Sequence, residues 1–198
     1  MVERTSAILF GHSFPRRLCK EAQKCDIRVE QLIGLPEGFS VEIDGYSGLT
    51  FDKVLENPRM YLRGLKARTV DILCVDLGTN DLCSRKNTPS VVVQRCVEFL
   101  DLLRMEDIRP KRIVMLSVIQ RAGTNRPGQV SVATFNHRAR RFNLLLKRAL
   151  EVGHPSVEAF VQKRINHPKW LKDGCHLSED GMRMYCKGLR SAVLGLKT

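Results

Sequence analysis

The chain has 198 residues, 43% of them hydrophobic, which fits one compact domain over residues 1–198 with a full apolar core. Its 33 Lys and Arg against 21 Asp and Glu give a formal net charge of +12, which favours association with nucleic acid or another polyanion. No apolar run approaches the roughly 20 residues of a membrane helix, and the charged start does not resemble a signal peptide, so we expect an intracellular protein.

Apolar runs separated by turn residues predict five strands that alternate with helices. The predicted strands are 6–10, 40–43, 70–77, 112–119 and 157–161. Helical spacing runs through 16–24, 49–66 with a break near Pro58, 90–104, 135–149 and 178–194. The segment 26–33 is expected to be a strand or an irregular arm. This alternation predicts an α/β fold, a three-layer α/β/α sandwich of flavodoxin-like type around a five-stranded parallel sheet.

Short segments with glycine and polar residues follow three of the predicted strands. They are Gly11-His12-Ser13, Ser47-Gly48-Leu49-Thr50 and Gly78-Thr79-Asn80-Asp81. Because open α/β sheets bind their ligands at the carboxyl ends of the strands, we expect these segments to lie close together. Each also has a structural explanation: a serine can cap a helix, a glycine can serve a turn, and an asparagine can form an Asx-turn.

A fourth segment, Asp173-Gly174-Cys175-His176, precedes the last predicted helix. A carboxylate three residues before a histidine can orient the imidazole and stabilise its protonated form. A nucleophilic serine needs such a base. The spacing alone is weak evidence for a catalytic pair, and the three segments that precede it strengthen this interpretation.

In this order the four segments resemble the SGNH hydrolase superfamily, also called GDSL-type esterases and lipases, over nearly the whole chain. The resemblance implies the same five-stranded fold and a serine hydrolase with neither a metal nor an organic cofactor. Where that family usually reads Gly-Asp-Ser, this chain reads Gly-His-Ser, so the carboxylate that normally braces the nucleophile loop is missing. The basic composition and the Gly-His-Ser segment also resemble esterase-like domains carried by animal mobile elements, which implies an association with RNA or DNA.

The resemblance also implies a role for each motif residue. Ser13 corresponds to the nucleophile, His176 to the base and Asp173 to the carboxylate that supports the base. The oxyanion donors correspond to the backbone N–H groups of Ser13 and Gly48 and to the side-chain amide of Asn80. The expected substrate is an ester of a small acyl group. Sequence reasoning leaves His12 open between bracing the nucleophile loop and facing solvent.

Two other functions stay open at this point. One is a domain of the same fold with weak or lost catalysis that binds nucleic acid or protein, for which the helix bearing Arg138, Arg140 and Arg141 is the first candidate surface. The other is a phospholipid or lysophospholipid hydrolase that is attracted to anionic membranes. The seven scattered cysteines include no Cys-x-x-Cys pair, so we expect free thiols and no zinc site.

Overall fold

A five-stranded parallel sheet forms the centre of the protein. The computed structural model describes residues 4–123, 128–162, 165 and 167–196. The strands are β1 (Thr5–Gly11), β2 (Phe39–Gly45), β3 (Ile72–Asp76), β4 (Arg112–Leu116) and β5 (Val157–Phe160), in the order β2-β1-β3-β4-β5. All five predicted strands are therefore confirmed. The sequence also predicts loops over 120–129 and 166–175, of which residues 124–127 and 166 lie outside the described residues.

Helices connect the strands and cover both faces of the sheet. In chain order they are α1 (Ser13–Lys24), α2 (Val29–Leu32), α3 (Phe51–Glu56), α4 (Pro58–Tyr61), α5 (Arg63–Lys66), α6 (Thr79–Cys83), α7 (Pro89–Met105), α8 (Val132–Gly153) and α9 (Glu179–Leu194). A short 3₁₀ turn, Pro168–Trp170, precedes α9.

Two hydrophobic cores lie on opposite faces of the sheet. Successive side chains of a strand point to opposite faces, so Ile8 and Phe10 of β1 enter one core while Ala7 and Leu9 enter the other. Helices α3 to α8 cover the first core, and α1, α2 and α9 cover the second. Strands β1 and β3 are buried on both faces, which explains why their apolar runs are continuous. The edge strands β2 and β5 instead include the exposed residues Glu42 and Glu158. The predicted α/β/α sandwich is confirmed.

Two predicted segments differ from the structure. The segment 26–33 contains the short helix α2 rather than a strand, and the N–H of Arg28 donates to the side chain of Gln31 at 3.0 Å at its start. Residues 49–66 form the three helices α3, α4 and α5 instead of one kinked helix. Pro58 is the first residue of α4, a position where its missing N–H does no harm, so the break predicted there becomes a helix start.

The order of the strands places a crevice beside the end of β1. The chain leaves β1 through α1 to reach β2 on one side, and then returns past β1 to reach β3 on the other side. Ligand sites of open α/β sheets lie at such a reversal, at the carboxyl ends of the strands. Gly11 at the end of β1 pairs in register with Gly45 of β2 and Asp76 of β3. The segments that follow these strands therefore begin at one edge of the sheet.

Candidate active site

Four of the five predicted site residues line one cleft at this edge. Ser13, Gly48, Asn80 and His176 all border a cleft of about 550 Å³. A volume of roughly 300–1,000 Å³ is usual for a small-molecule site. Asp173 does not border the cleft and instead lies against His176, to which it is hydrogen-bonded. The fold thus brings together residues from three strand ends and from the segment before α9.

Ser13 is the first residue of α1, so its position combines a side chain in the cleft with a helix N-terminus. His12 caps this helix, and its ring Nδ1 accepts from the N–H of Phe14 at 3.4 Å. The first N–H groups of a helix have no acceptor within the helix, which leaves the N–H of Ser13 able to donate to an external oxygen. The partial positive charge of the same terminus favours negative charge that develops beside it.

His176 borders the cleft and forms a close pair with Asp173. Nδ1 of His176 lies 2.6 Å from Oδ2 of Asp173, while Oδ1 of Asp173 accepts from the backbone N–H groups of Cys175 at 3.0 Å and His176 at 2.6 Å. Partial burial acts to raise the pKa of Asp173, but the hydrogen bonds from His176 and Cys175 outweigh it and lower the pKa to about 2. Asp173 is therefore ionised near neutral pH. Its bond to Nδ1 leaves Nε2 as the ring nitrogen that can serve a hydroxyl in the cleft.

Gly48 lies in the turn between β2 and α3 with a φ of +71°. This left-handed conformation is easy for glycine and strained for other residues. The carbonyl of Gly48 accepts from Nζ of Lys53 at 2.8 Å, and in the described part of the chain its N–H has no acceptor. That N–H can therefore donate to an oxygen in the cleft.

Residues at the start of α6 hold this turn in place. The amide of Asn80 donates to the carbonyl of Leu49 at 2.9 Å, and the buried carboxyl of Asp81 accepts from the N–H of Phe51 at 2.9 Å. A side-chain amide carries two N–H donors, so Asn80 keeps one for a ligand in the cleft. Asp81 therefore supports the turn from behind.

His12 is buried beside Ser13 and does not face solvent. Only 1% of it is exposed, its Nδ1 lies 3.4 Å from Oγ of Ser13, and its Nε2 lies 3.1 Å from Oδ1 of Asp76. Oδ2 of Asp76 accepts from the hydroxyl of Tyr185 at 2.5 Å. Burial, reinforced by the charge of Asp76, holds the pKa of Tyr185 well above its usual range, which keeps the hydroxyl a donor. The Gly-His-Ser segment is therefore braced by a histidine, with a carboxylate from β3 behind it.

Sequence reasoning did not identify Asp76 and Tyr185. Asp76 carries one signal that could have revealed it, since it is a carboxylate within an otherwise apolar strand and is 3% exposed. Tyr185 carries none, because a tyrosine on the apolar face of a helix is usually part of the core. Its partner lies 109 residues away in the sequence.

A set of hydrogen bonds, which we call the backbone clasp, joins the segment that contains His176 to the loop after β4. The N–H groups of Ala122 and Gly123 donate to the carbonyl of Gly174 at 2.7 and 2.9 Å, and the thiol of Cys175 donates to the carbonyl of Gly123 at 2.8 Å. A Cβ on Gly174 would lie 2.4 Å from the nitrogen of Gly123, so only glycine permits this approach. Burial raises the pKa of Cys175, which keeps its thiol neutral and in a packing role.

Within the described ranges, no group of three or more His, Cys, Asp and Glu residues is placed to hold a metal ion. None of the helices in the same ranges is long and apolar enough to cross a bilayer.

Solved structures share this architecture across almost their full length. A GDSL-like lipase from Bacteroides thetaiotaomicron is 14% identical, with 96% of this chain and 88% of that chain covered and a TM-score of 0.71. A protein assigned as an SGNH hydrolase from Slackia heliotrinireducens is 13% identical, with 96% and 99% covered and a TM-score of 0.63. The chain has the SGNH hydrolase fold. A serine-to-alanine variant of an acetyl esterase, solved with an acetate ion, is 15% identical, with 97% of each chain covered and a TM-score of 0.67. No protein-family model and no curated protein sequence matches the chain.

Proposed function

We propose that the chain is a serine esterase that hydrolyses esters of small acyl groups. The observation that carries the proposal is the placement of Ser13 and His176 on the same cleft, with Asp173 bound to the far side of the imidazole at 2.6 Å. A serine, a histidine and a carboxylate in these relative roles form a general-base nucleophile on many unrelated folds.

The geometry suggests the following course. Oγ of Ser13 attacks the ester carbonyl carbon while its proton passes to Nε2 of His176, and Asp173 stabilises the imidazolium that forms. The carbonyl oxygen becomes an oxyanion that accepts from the N–H groups of Ser13 and Gly48 and from the free amide N–H of Asn80. Collapse of this intermediate expels the alcohol, which takes the proton from His176. Water then attacks the acyl-enzyme by the same route and releases the acid.

The similarity to solved esterases and lipases supports the reaction class. The acetate ion in the acetyl esterase structure supports the choice of a small acyl group. Bracing of the Ser13 loop by His12 and Asp76 supports catalysis, because a fixed nucleophile is part of the preorganisation that a serine enzyme needs.

A panel of p-nitrophenyl esters of increasing acyl length tests the proposal. We expect the acetate ester to be cleaved, and the Ser13→Ala variant to lose at least a thousandfold in kcat. A serine-directed phosphonate should add its mass to the peptide that contains Ser13. Ser191→Ala, a change on α9 away from the cleft, serves as the matched control and should keep both activity and labelling. Labelling of another residue, or turnover that survives Ser13→Ala, would refute the assignment.

Association with nucleic acid or another polyanion is a second candidate function. Helix α8 carries the basic residues Arg138, Arg140, Arg141, Lys147 and Arg148 and the single acidic residue Glu151. Arg140 and Arg141 are exposed. Arg138 is engaged elsewhere, because it donates to the carbonyls of Leu82 and Ser84 at 3.3 and 2.6 Å. The exposed part of this face therefore favours binding that depends on phosphate charge rather than on base sequence.

A further inference from the structure

A buried guanidinium borders the candidate active site. Arg121 follows β4, is 7% exposed and lines the same cleft as Ser13 and His176. Its backbone N–H donates to Oδ1 of Asn136 at 2.7 Å, and its carbonyl accepts from Nδ2 of Asn136 at 2.8 Å. The guanidinium lies 4.6 Å from the centre of the Phe135 ring. The two hydrogen bonds with Asn136 fix the backbone of Arg121, and the ring of Phe135 supports its side chain before any ligand binds.

This cation has no anionic partner in the described part of the chain. One nitrogen of Arg121 donates to Sγ of Cys83 at 2.9 Å, and its buried Nε has no hydrogen-bond partner among the described residues. Burial raises the pKa of Cys83, so the sulfur is a neutral thiol and a weak acceptor rather than a counter-ion. An unpaired buried charge costs several kcal/mol, and folded proteins nearly always compensate it. The uncompensated positive charge indicates that a bound anion completes the site.

The remaining charged side chains at the cleft have the same sign. They are Arg16, Arg17, Lys20 and Lys53, and no Asp or Glu borders the cleft among the described residues. Arg16 and Lys53 are held at the turn beside Gly48, where they donate to Ser47 at 2.9 Å and to Gly48 at 2.8 Å. A cleft lined by one sign of charge concentrates ligands of the opposite sign.

We propose that the cleft takes acyl esters that carry an anionic group, a carboxylate or a phosphate, and that Arg121 binds this group. The inference rests on the proposed esterase activity and names the class of its substrate. A guanidinium suits the task because its planar fork can donate two parallel hydrogen bonds to an oxyanion group. The same guanidinium would discriminate against neutral esters, since a neutral ester would leave the buried charge of Arg121 unpaired.

Matched acetate esters test the inference. The substrates are 4-acetoxybenzoate, 4-acetoxyphenyl phosphate and the neutral 4-acetoxybenzamide, with each kcat/KM divided by the rate constant for alkaline hydrolysis of the same ester. We expect the wild type to prefer at least one anionic ester by tenfold or more, and Arg121→Met to reduce that preference at least tenfold. The anionic ester whose normalised kcat/KM falls more in Arg121→Met, the carboxylate or the phosphate, identifies the group that Arg121 binds.

Arg183→Gln is the control for net charge. Arg183 is exposed on α9, pairs with Asp180 at 2.8 Å and does not border the cleft, so its loss should leave the preference within twofold. If the wild type shows no preference for an anionic ester, or if Arg121→Met keeps the preference, the inference is wrong. An equal loss of preference in Arg183→Gln would also overturn it, because the effect would then arise from overall charge.

Ligand binding to an inactive variant separates this inference from the esterase proposal. The Ser13→Ala protein should melt at higher temperature when 4-hydroxybenzoate or inorganic phosphate is added. The gain should vanish in Ser13→Ala/Arg121→Met, whose melting temperature without anion should equal or exceed that of Ser13→Ala. Arg121→Lys keeps the positive charge but lacks the planar guanidinium, so it should retain part of the gain in melting temperature. This variant is the control for misfolding of Arg121→Met. Anion binding that depends on Arg121, without cleavage of any ester, would refute the esterase proposal and support the anion site. Ester cleavage with no anion-dependent stabilisation would support the esterase proposal and refute the anion site.

Discussion

Asp81→Asn should make the stability of the protein less dependent on pH. Asp81 is 1% exposed, its Oδ1 accepts from the N–H of Phe51, and its Oδ2 has no hydrogen-bond partner among the described residues. Burial, opposed in part by hydrogen bonds from backbone N–H groups, raises its pKa from 3.8 to about 7. An asparagine at this position keeps an oxygen that can accept from Phe51 and has no charge to bury.

The raised pKa sets the sign and the size of the effect. Between the two values the folded protein binds a proton that the unfolded chain does not, so stability falls as the pH rises from about 4 to about 7 and then levels off. At about 1.4 kcal/mol per pKa unit, the part of the change that falls between pH 5 and pH 8 amounts to about 2–3 kcal/mol. The free energy of unfolding of Asp81→Asn, measured relative to the wild type, should rise by that amount over this interval.

Urea unfolding followed by circular dichroism at pH 5 and pH 8 measures this difference. Asp101→Asn on α7 is the control, because that carboxylate is exposed and its replacement should give the same difference at both pH values. If the difference between Asp81→Asn and the wild type is equal at pH 5 and pH 8, the burial energy that we assign to Asp81 is wrong.

Three further changes test the site and the basic face. Tyr185→Phe leaves a buried carboxylate without its hydroxyl donor and should lower the free energy of unfolding by about 2–3 kcal/mol, measured by urea titration; a loss below 0.5 kcal/mol would contradict the bracing role. Asp173→Asn should fold normally while turnover of p-nitrophenyl acetate falls by orders of magnitude, and near-normal turnover would mean that another group orients the base. Arg140→Gln combined with Arg141→Gln should weaken retardation of an RNA oligomer at low salt, with retained fold checked by circular dichroism; unchanged binding would move the polyanion surface off α8.

Most of the fold could be predicted from the sequence because each strand coincides with a short stretch that contains apolar residues and ends near turn residues. The exceptions are short segments in which local hydrogen bonds decide the outcome. The helix α2 spans only Val29–Leu32, too few residues for helical spacing to be visible, and it forms where Gln31 accepts from the N–H of Arg28. The break at Pro58 was visible, but its result as a helix start depended on the conformation of the preceding residue.

The residues of the candidate site also divide into those that local sequence could predict and those that depend on distant contacts. Asp173 and His176 lie three residues apart, so their contact could be inferred from spacing, and the structure places the two side chains 2.6 Å apart. The roles of Ser13, Gly48 and Asn80 in catalysis stay predictions until activity is measured. Tyr185 and Arg121 were not found, because their meaning depends on burial and on distant partners. One arginine among many in a basic chain carries no signal until the structure shows that it is buried without a counter-ion.

The backbone clasp between Gly123 and Gly174 joins two parts of the site that sequence separates. One side of the clasp continues into His176, and the other follows Arg121, which lies only two residues before Gly123. His176, the base that we propose, and Arg121, to which we assign the substrate anion, are therefore both anchored by the same backbone clasp. A change of loop length that re-aims Arg121 toward a different ester would also displace His176. Adaptation to new substrates is then easier at Arg16 and Arg17 on α1 and at Lys53 on α3, which border the cleft and take no part in the clasp.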